Sequence, residues 1–384
     1  MLDPNPIANP SILVHLTEPI AEYLSLKTLH LHSHEVLFAA GMYHLICRFV
    51  SPFLSNLICP SIYSKLNPRT RINWDVHVVS FVQSTLISVM AFWIMLYDDD
   101  RSEMNWRGRV YGYTGSLGLL QAFAAGYFLW DFFISTYYVG IFGIGLWFHA
   151  LSALSVYTLG FRPFLNFYGP TFILYELSSP FLNIHWFCDK LNLTGSKIQL
   201  YNGIILLTTF FFCRIIWGTY NSFHVFYDIW TASRHHGIDF DEKFPPGASA
   251  DPIISPNNVG GSTMLRFHNS QMDVVPLWLA VAYLSANMTL HALNFFWFGK
   301  MIATIRKRFD PPLGTRAKVQ KLPPTKNEDK VFVEGVDVET DDEVDLVTGK
   351  KTKGVEVEVM RGVDLDGRKT VEVEGTQVRS RRRG

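Results

Sequence analysis

Thr171 to Phe187 reads TFILYELSSPFLNIHWF, a stretch long enough to cross a bilayer that carries a carboxylate, Glu176, near its middle. An ionisable group in hydrocarbon costs several kcal/mol, about 3 on insertion scales, so it marks a site that pairs or works. Asp131, His149 and Arg214 fall inside other apolar stretches in the same way. Working outward, windows of about 20 apolar residues read as spanning helices. They cover approximately Val36 to Leu57, Val76 to Leu96, Leu117 to Tyr138, Val139 to Leu159, Phe164 to Phe187, Ile198 to Tyr220 and Val274 to Ile305. The expected fold is therefore all-α, a multi-pass transmembrane bundle of about seven helices. Pro170 and Pro180 interrupt the fifth window, and Asn166, Glu176 and Asn183 dilute it, so a re-entrant or broken helix held inside the protein is expected there.

Composition agrees. Of 384 residues, 48% are hydrophobic and 15% aromatic, and the charge is concentrated in the C-terminal fifth. The formal net charge of zero averages an apolar body with a charged tail, and no nucleic-acid partner is expected. Cys47, Cys59, Cys188 and Cys213 lack zinc-type spacing and read as buried thiols rather than disulfides. Met1 to His34 lacks the basic start and small-residue cleavage site of a signal peptide, which leaves targeting to the first transmembrane helix.

Lys and Arg beside the spans set the expected orientation. With seven helices, Lys65, Arg69 and Arg71 share a side with Arg306, Lys307 and Arg308, assigned to the cytosol, while Arg101, Arg107 and Arg109 fall on the lumenal side against that bias. The polar stretch from Thr231 to Asp273, with Pro245-Pro246-Gly247 and Gly260-Gly261, reads as a long flexible loop. Past Lys321 Val alternates with acidic residues (VFVEGVDVE, GVEVEVM, TVEVEG), a pattern that permits short strands but has too little large apolar surface to fold alone. The chain divides into an N-terminal arm (1–35), a first transmembrane helix and loop (36–73), a membrane domain (74–308) and a charged, disordered cytosolic tail (309–384).

Helix rise tests whether the four intramembrane groups meet. At about 1.5 Å per residue, Asp131 lies roughly 10 Å before the turn near Val139 and His149 roughly 14 Å after it. His149 and Glu176 lie roughly 16 to 18 Å from the turn at 160–163, and Arg214, about 22 Å into the sixth helix, sits within about one turn of Glu176. The four converge on one layer near the midplane. In one reading Arg214 neutralises Glu176 or Asp131 and the layer fixes helix packing. In the other His149 is a general base or nucleophile, oriented by Asp131 or Glu176 in a lipid-accessible cavity.

Five segments carry a family likeness: GYFLWD (Gly126 to Asp131), WFHALSALSVY (Trp147 to Tyr157), YELSSPFLNIHWF (Tyr175 to Phe187), NGI (Asn202 to Ile204) with FFFCRI (Phe210 to Ile215), and NFFWFGKMI (Asn294 to Ile302). Over roughly Trp74 to Arg308 the chain resembles the TLC-domain family, which groups ceramide synthases, translocation-associated membrane proteins and the neuronal ceroid lipofuscinosis type 8 protein. It is most similar to the non-synthase branch formerly called transmembrane protein 56. The resemblance implies a multi-pass endoplasmic-reticulum membrane protein of lipid homeostasis, with sphingolipid chemistry in the wider family. Ceramide synthases carry paired histidines where this chain has Phe148-His149, and a His-Asp with a further Asp where it has Tyr175-Glu176 followed by Ser178 and Ser179. Relatives of this branch place a histidine where this chain has Gln83. Those departures favour lipid binding or sensing without turnover over acyl transfer; a lipid or cargo transport or adaptor role is the third class, weakened by the lack of an internal repeat.

The expected site residues are thus His149, Asp131 and Glu176 as catalytic candidates, with Arg214, Asn183, Ser178 and Ser179 for lipid or substrate binding. No cofactor or metal is expected, acyl-CoA entering only under the enzyme reading. Membrane lipids are the expected partners, with a protein partner for the tail and a homo-oligomer as further arrangements. Several features have plainer readings. His30, His32 and His34 alternate as metal ligands on a strand would, but lie in an amphipathic arm. His235-His236 reads as solvated, and Arg48 and His44 snorkel or face the bundle. Trp74, Trp106, Trp186 and Trp230 read as interfacial belt residues. The Arg306 to Lys321 stretch reads as topological and attracted to anionic lipid, and the terminal Arg381-Arg382-Arg383 as a weak retrieval signal or solvated charge.

Overall fold

A computed structural model of the chain describes residues 1, 3–5, 7–162, 164–234 and 275–309, together with short strands at 331–333, 336–338, 362–363 and 369–370. The flexible-loop expectation, apart from Thr231 to Arg234, and most of the tail expectation lie outside the described residues, as do the Pro163 turn, His235-His236, the terminal arginines and the side chains of Arg306, Lys307 and Arg308.

The bundle follows α1 (Ser11–Tyr23), α2 (Leu29–Ile58), α3 (Pro68–Tyr97), α4 (Gly115–Tyr137), α5 (Ile144–Leu159), α6 (Ser179–Lys190), α7 (Lys197–Arg234) and α8 (Leu277–Phe309). Among the described residues four helical stretches, Leu29–Ile58, Pro68–Tyr97, Trp106–Tyr137 and Lys197–Arg234, are long and apolar enough to cross a membrane; α5 is a shorter apolar helix, and α8 runs 33 residues. All seven windows thus hold helix, with three differences of extent. The sixth continues to Arg234 rather than ending near Tyr220, the second begins at Pro68 rather than near Val76, and the first begins at Leu29, which puts His30, His32 and His34 on a helix rather than in an arm or strand.

Local signals start these helices. Asn67 caps α3, its side chain accepting from the Thr70 amide at 2.7 Å ahead of Pro68 in the first turn. Thr114 caps α4 and Ser196 caps α7. Two π-helical segments, Ile46–Val50 and Phe211–Trp217, interrupt α2 and α7. The fifth window is broken, as its prolines foretell. It passes through a 3-10 turn (Asn166–Tyr168), a short helix (Gly169–Ile173) with Pro170 in its first turn, and a 3-10 segment (Leu174–Ser178) before α6, whose first turn holds Pro180.

The interior is small and polar where helices meet, and the periphery is apolar. Ala122, Ala124, Ala125 and Gly126 on α4 are buried, and a Cβ on Gly126 would lie 2.7 Å from that of Ala39 on α2. Large apolar side chains such as Phe53, Phe133, Phe148 and Phe212 point outward, as expected of a surface solvated by acyl chains. Two expectations need correction. Trp74 and Trp186 are buried, not interfacial: they pack edge to face 5.9 Å apart beside Tyr63, because a paired aromatic cluster gains more in the core than at the rim. Arg101 and Arg109 act as internal ties. Arg101 is buried and donates to the Phe167 carbonyl and to Thr171 Oγ1. Arg109 forks onto buried Asp228, with two bonds of 2.7 Å. The four cysteines are free.

Val331–Val333 pairs antiparallel with Val336–Val338, the short strands that alternation permitted, and Glu339–Gly384 forms a separate unit with its own small pair, Gly362–Val363 with Lys369–Thr370.

Candidate functional site

The broken fifth segment builds the site. In the 3-10 stretch the Ser179 amide bonds to the Glu176 carbonyl, three residues back, rather than to the Tyr175 carbonyl as in an α-helix. The Tyr175 carbonyl accepts from Ser178 Oγ at 3.2 Å and from Arg214 Nε at 2.9 Å. Arg214 reaches it from the π-helical segment of α7, whose extra residue per turn re-aims the side chain inward.

Arg214 is 1% exposed, and every arm of its guanidinium is used. Nε also contacts Ser178 Oγ at 3.1 Å, Nη1 donates to Asn294 Oδ1 on α8 at 3.2 Å, and Nη2 donates to Ser179 Oγ at 3.1 Å. Ser179 Oγ donates in turn to Glu176 Oε2 at 2.9 Å, while the direct approach of Arg214 Nη2 to Glu176 Oε1 is a longer 3.8 Å. The hydroxyl therefore relays the charge pairing, and the Phe210 ring lies 5.0 Å from the guanidinium. Ring space for Tyr175 comes from Gly218, since any Cβ there would run into the phenol.

Next to this pair lies a cavity lined by Phe128, His149, Tyr157, Tyr175, Glu176 and Asn287, among others. His149 stands on its wall between Phe128 and Trp297, with ring centroids 6.1 and 5.6 Å away. The cavity is about 30 Å³, room for one or two waters and not for a lipid headgroup. Behind its wall Ser222 Oγ contacts His291 Nε2 at 2.6 Å and Asn287 Oδ1 at 2.9 Å, and His291 also reaches the Tyr175 hydroxyl at 3.3 Å.

Of the expected site residues, the structure brings together Glu176, Arg214, Ser178, Ser179 and His149. Asp131 is buried on α4 but is not among the lining residues; Ser135 Oγ lies 3.5 Å from its carboxylate. Asn183 belongs to another cluster. Its Oδ1 accepts from His77 Nδ1 at 2.7 Å and its Nδ2 donates to Ser80, while His77 stacks on Trp186 at 4.2 Å. Gln83 is fully buried on α3, its amide without a hydrogen-bond partner among the described residues. His44 and Arg48 are exposed and face away from the bundle. Sequence reasoning missed Asn294, Ser222, His291 and His77, which sit on long helices at the polar positions of an otherwise apolar surface; that pattern was the available signal.

Residues 73–303 match the TLC domain. An uncharacterized TLC domain-containing protein of Schizosaccharomyces pombe is 37% identical over 300 residues, 78% of this chain and 87% of its own. Topoisomerase I damage affected protein 4 of Saccharomyces cerevisiae is 27% identical over 295 residues, 73% of this chain and 86% of that one. TLC domain-containing protein 4 of Homo sapiens is 29% identical over 177 residues, 45% and 65% respectively. The chain belongs to the TLC-domain family of membrane proteins.

Proposed function

We propose that this TLC-domain protein acts in lipid homeostasis at the endoplasmic-reticulum membrane, tail to the cytosol, by sensing membrane lipids through the cavity beside Glu176 and Arg214. The observation that carries the reading is a charged pair whose hydrogen bonds are all internal, set against a cavity too small to hold a headgroup as it stands. A lipid enters only if α8, which contributes Asn287 and Leu290 to the wall, parts from α5. Loading then coincides with a change of helix packing, and a ligand that prefers the parted state shifts that equilibrium. A carboxylate neutralised through a serine hydroxyl is a weak base, while a polar headgroup that enters beside it can exchange for the bonds Arg214 makes to Ser178, Ser179 and Asn294.

The test is lipid mass spectrometry on the purified protein and on cells of a deletion background expressing wild type, His149→Ala and Glu176→Gln at matched levels. Sensing is supported by a lipid class that co-purifies with wild type, falls in both variants, and has no product accumulating in cells. Accumulation of an acyl-lipid product by wild type alone would transfer the site to catalysis, with His149 as base. Equal lipid content in all three proteins would make the layer purely structural.

A further inference from the structure

We propose that Asp3, His32 and Glu35 form a Zn2+ site that ties the N-terminal segment to the start of α2. His32 Nδ1, a carboxylate oxygen of Asp3 and one of Glu35 lie within 4.8 Å of one another. His32 and Glu35 are one helical turn apart on α2 and almost wholly buried, and Asp3 arrives from outside, its side chain 32% exposed. His32 Nδ1 stands 3.5 Å from Asp3 Oδ2 and 2.6 Å from Glu35 Oε2. Ligand atoms around tetrahedral zinc are separated by about 3.3 Å, given bonds of about 2.0 to 2.2 Å, so admitting the ion asks for an opening of less than about 1 Å between His32 and Glu35.

The second observation concerns the atoms that point away. Each ligand has one inward and one outward polar atom, and every outward atom is held. Asp3 Oδ1 accepts from the Asn5 amide at 2.9 Å, and Glu35 Oε1 accepts from Asn5 Nδ2 at 2.6 Å. His32 Nε2 meets the Tyr113 hydroxyl, for which Gly118 leaves the room. That is the outer shell metal-bound histidines and carboxylates require: the partner on Nε2 fixes the ring and leaves Nδ1 as the donor. Charge points the same way. Two carboxylates share the cluster, and among the described residues their ion-pair partners are the imidazoles of His32 and, 3.9 Å from Glu35 Oε1, His34. A divalent cation cancels both carboxylate charges. Imidazole and carboxylate oxygen together suit Zn2+, and the exposed side of Asp3 supplies an entry path and a position for a fourth, water ligand. The neighbouring His30 and His34 are not among the converging atoms.

The test uses the full-length protein in detergent without a polyhistidine tag, stripped with EDTA and titrated with ZnCl2 against a chromophoric chelator. One zinc per chain is expected, bound at least tenfold more weakly by Asp3→Asn and about tenfold more weakly by Tyr113→Phe, with His15→Gln unchanged. Binding is also read as the rise in melting temperature on adding zinc, so that a variant weakened without metal is compared with itself. A rise in wild type that is lost in Asp3→Asn supports the site. No stoichiometric zinc in wild type, or equal affinity and equal rises in Asp3→Asn, overturns it.

Discussion

Glu176 and Arg214 were placed at one depth by helix rise alone, and the structure pairs them through Ser179. Such a relay makes distinct demands on substitution. Glu176→Ala leaves a buried guanidinium without its counter-charge, a loss of about 3 to 5 kcal/mol, whereas Glu176→Gln keeps an acceptor for Ser179 and is expected to cost well under half of that. Melting of the detergent-extracted protein checks the order of the two; equal losses would mean that charge pairing is the whole role. Ser179→Ala removes the relay, while Ser179→Thr retains a hydroxyl, so the threonine variant is expected to melt above the alanine one. Spacing made this pair legible because both residues interrupt apolar runs. It gave no help with Asn183, which lies in the same window yet faces α3 and His77, since rotation about the helix axis is set by packing that a one-dimensional pattern does not contain.

The helices themselves were legible, since a bilayer demands about 20 apolar residues and these windows supply them. The irregular parts were legible only in outline. Pro170 and Pro180 announced a break, but not that the Tyr175 carbonyl would accept from Arg214, nor that α7 would present that arginine from a π-helical segment. Both depend on hydrogen bonds between elements far apart in the chain. Gly218 ends that π-helical segment and faces the Tyr175 ring, so Gly218→Ala is expected to force the phenol aside at a cost of about 1 to 3 kcal/mol and to alter the cavity wall. Lipid co-purification with Gly218→Ala should therefore change along with its melting temperature. Gly126 tests the opposite face. A larger residue there wedges α4 from α2, and Gly126→Leu is expected to lower folded yield while leaving the Glu176 cluster intact in whatever protein does fold.

The chain as a whole combines the apolar bundle with a charged C-terminal stretch that the TLC match does not reach. Removing Pro323 to Gly384 is expected to leave insertion and bundle stability unchanged, because among the described residues the core clusters are drawn from positions before it. Protease protection of microsome-inserted protein checks this, and failure to insert would make the tail part of the fold. The internal roles of Arg101 and Arg109, tied to Phe167 and Asp228, were not legible, because no count of positive residues reveals a partner brought in from another helix. The distance in sequence between Glu176 and its counter-charge has one more consequence, for synthesis. While the ribosome is still making residues beyond 190, the broken segment presents to the insertion machinery two prolines and a carboxylate whose cation, Arg214, has not been translated. It is a poor candidate for release into lipid alone. The two segments are therefore expected to enter the bilayer as a couple, with the earlier one waiting for the later.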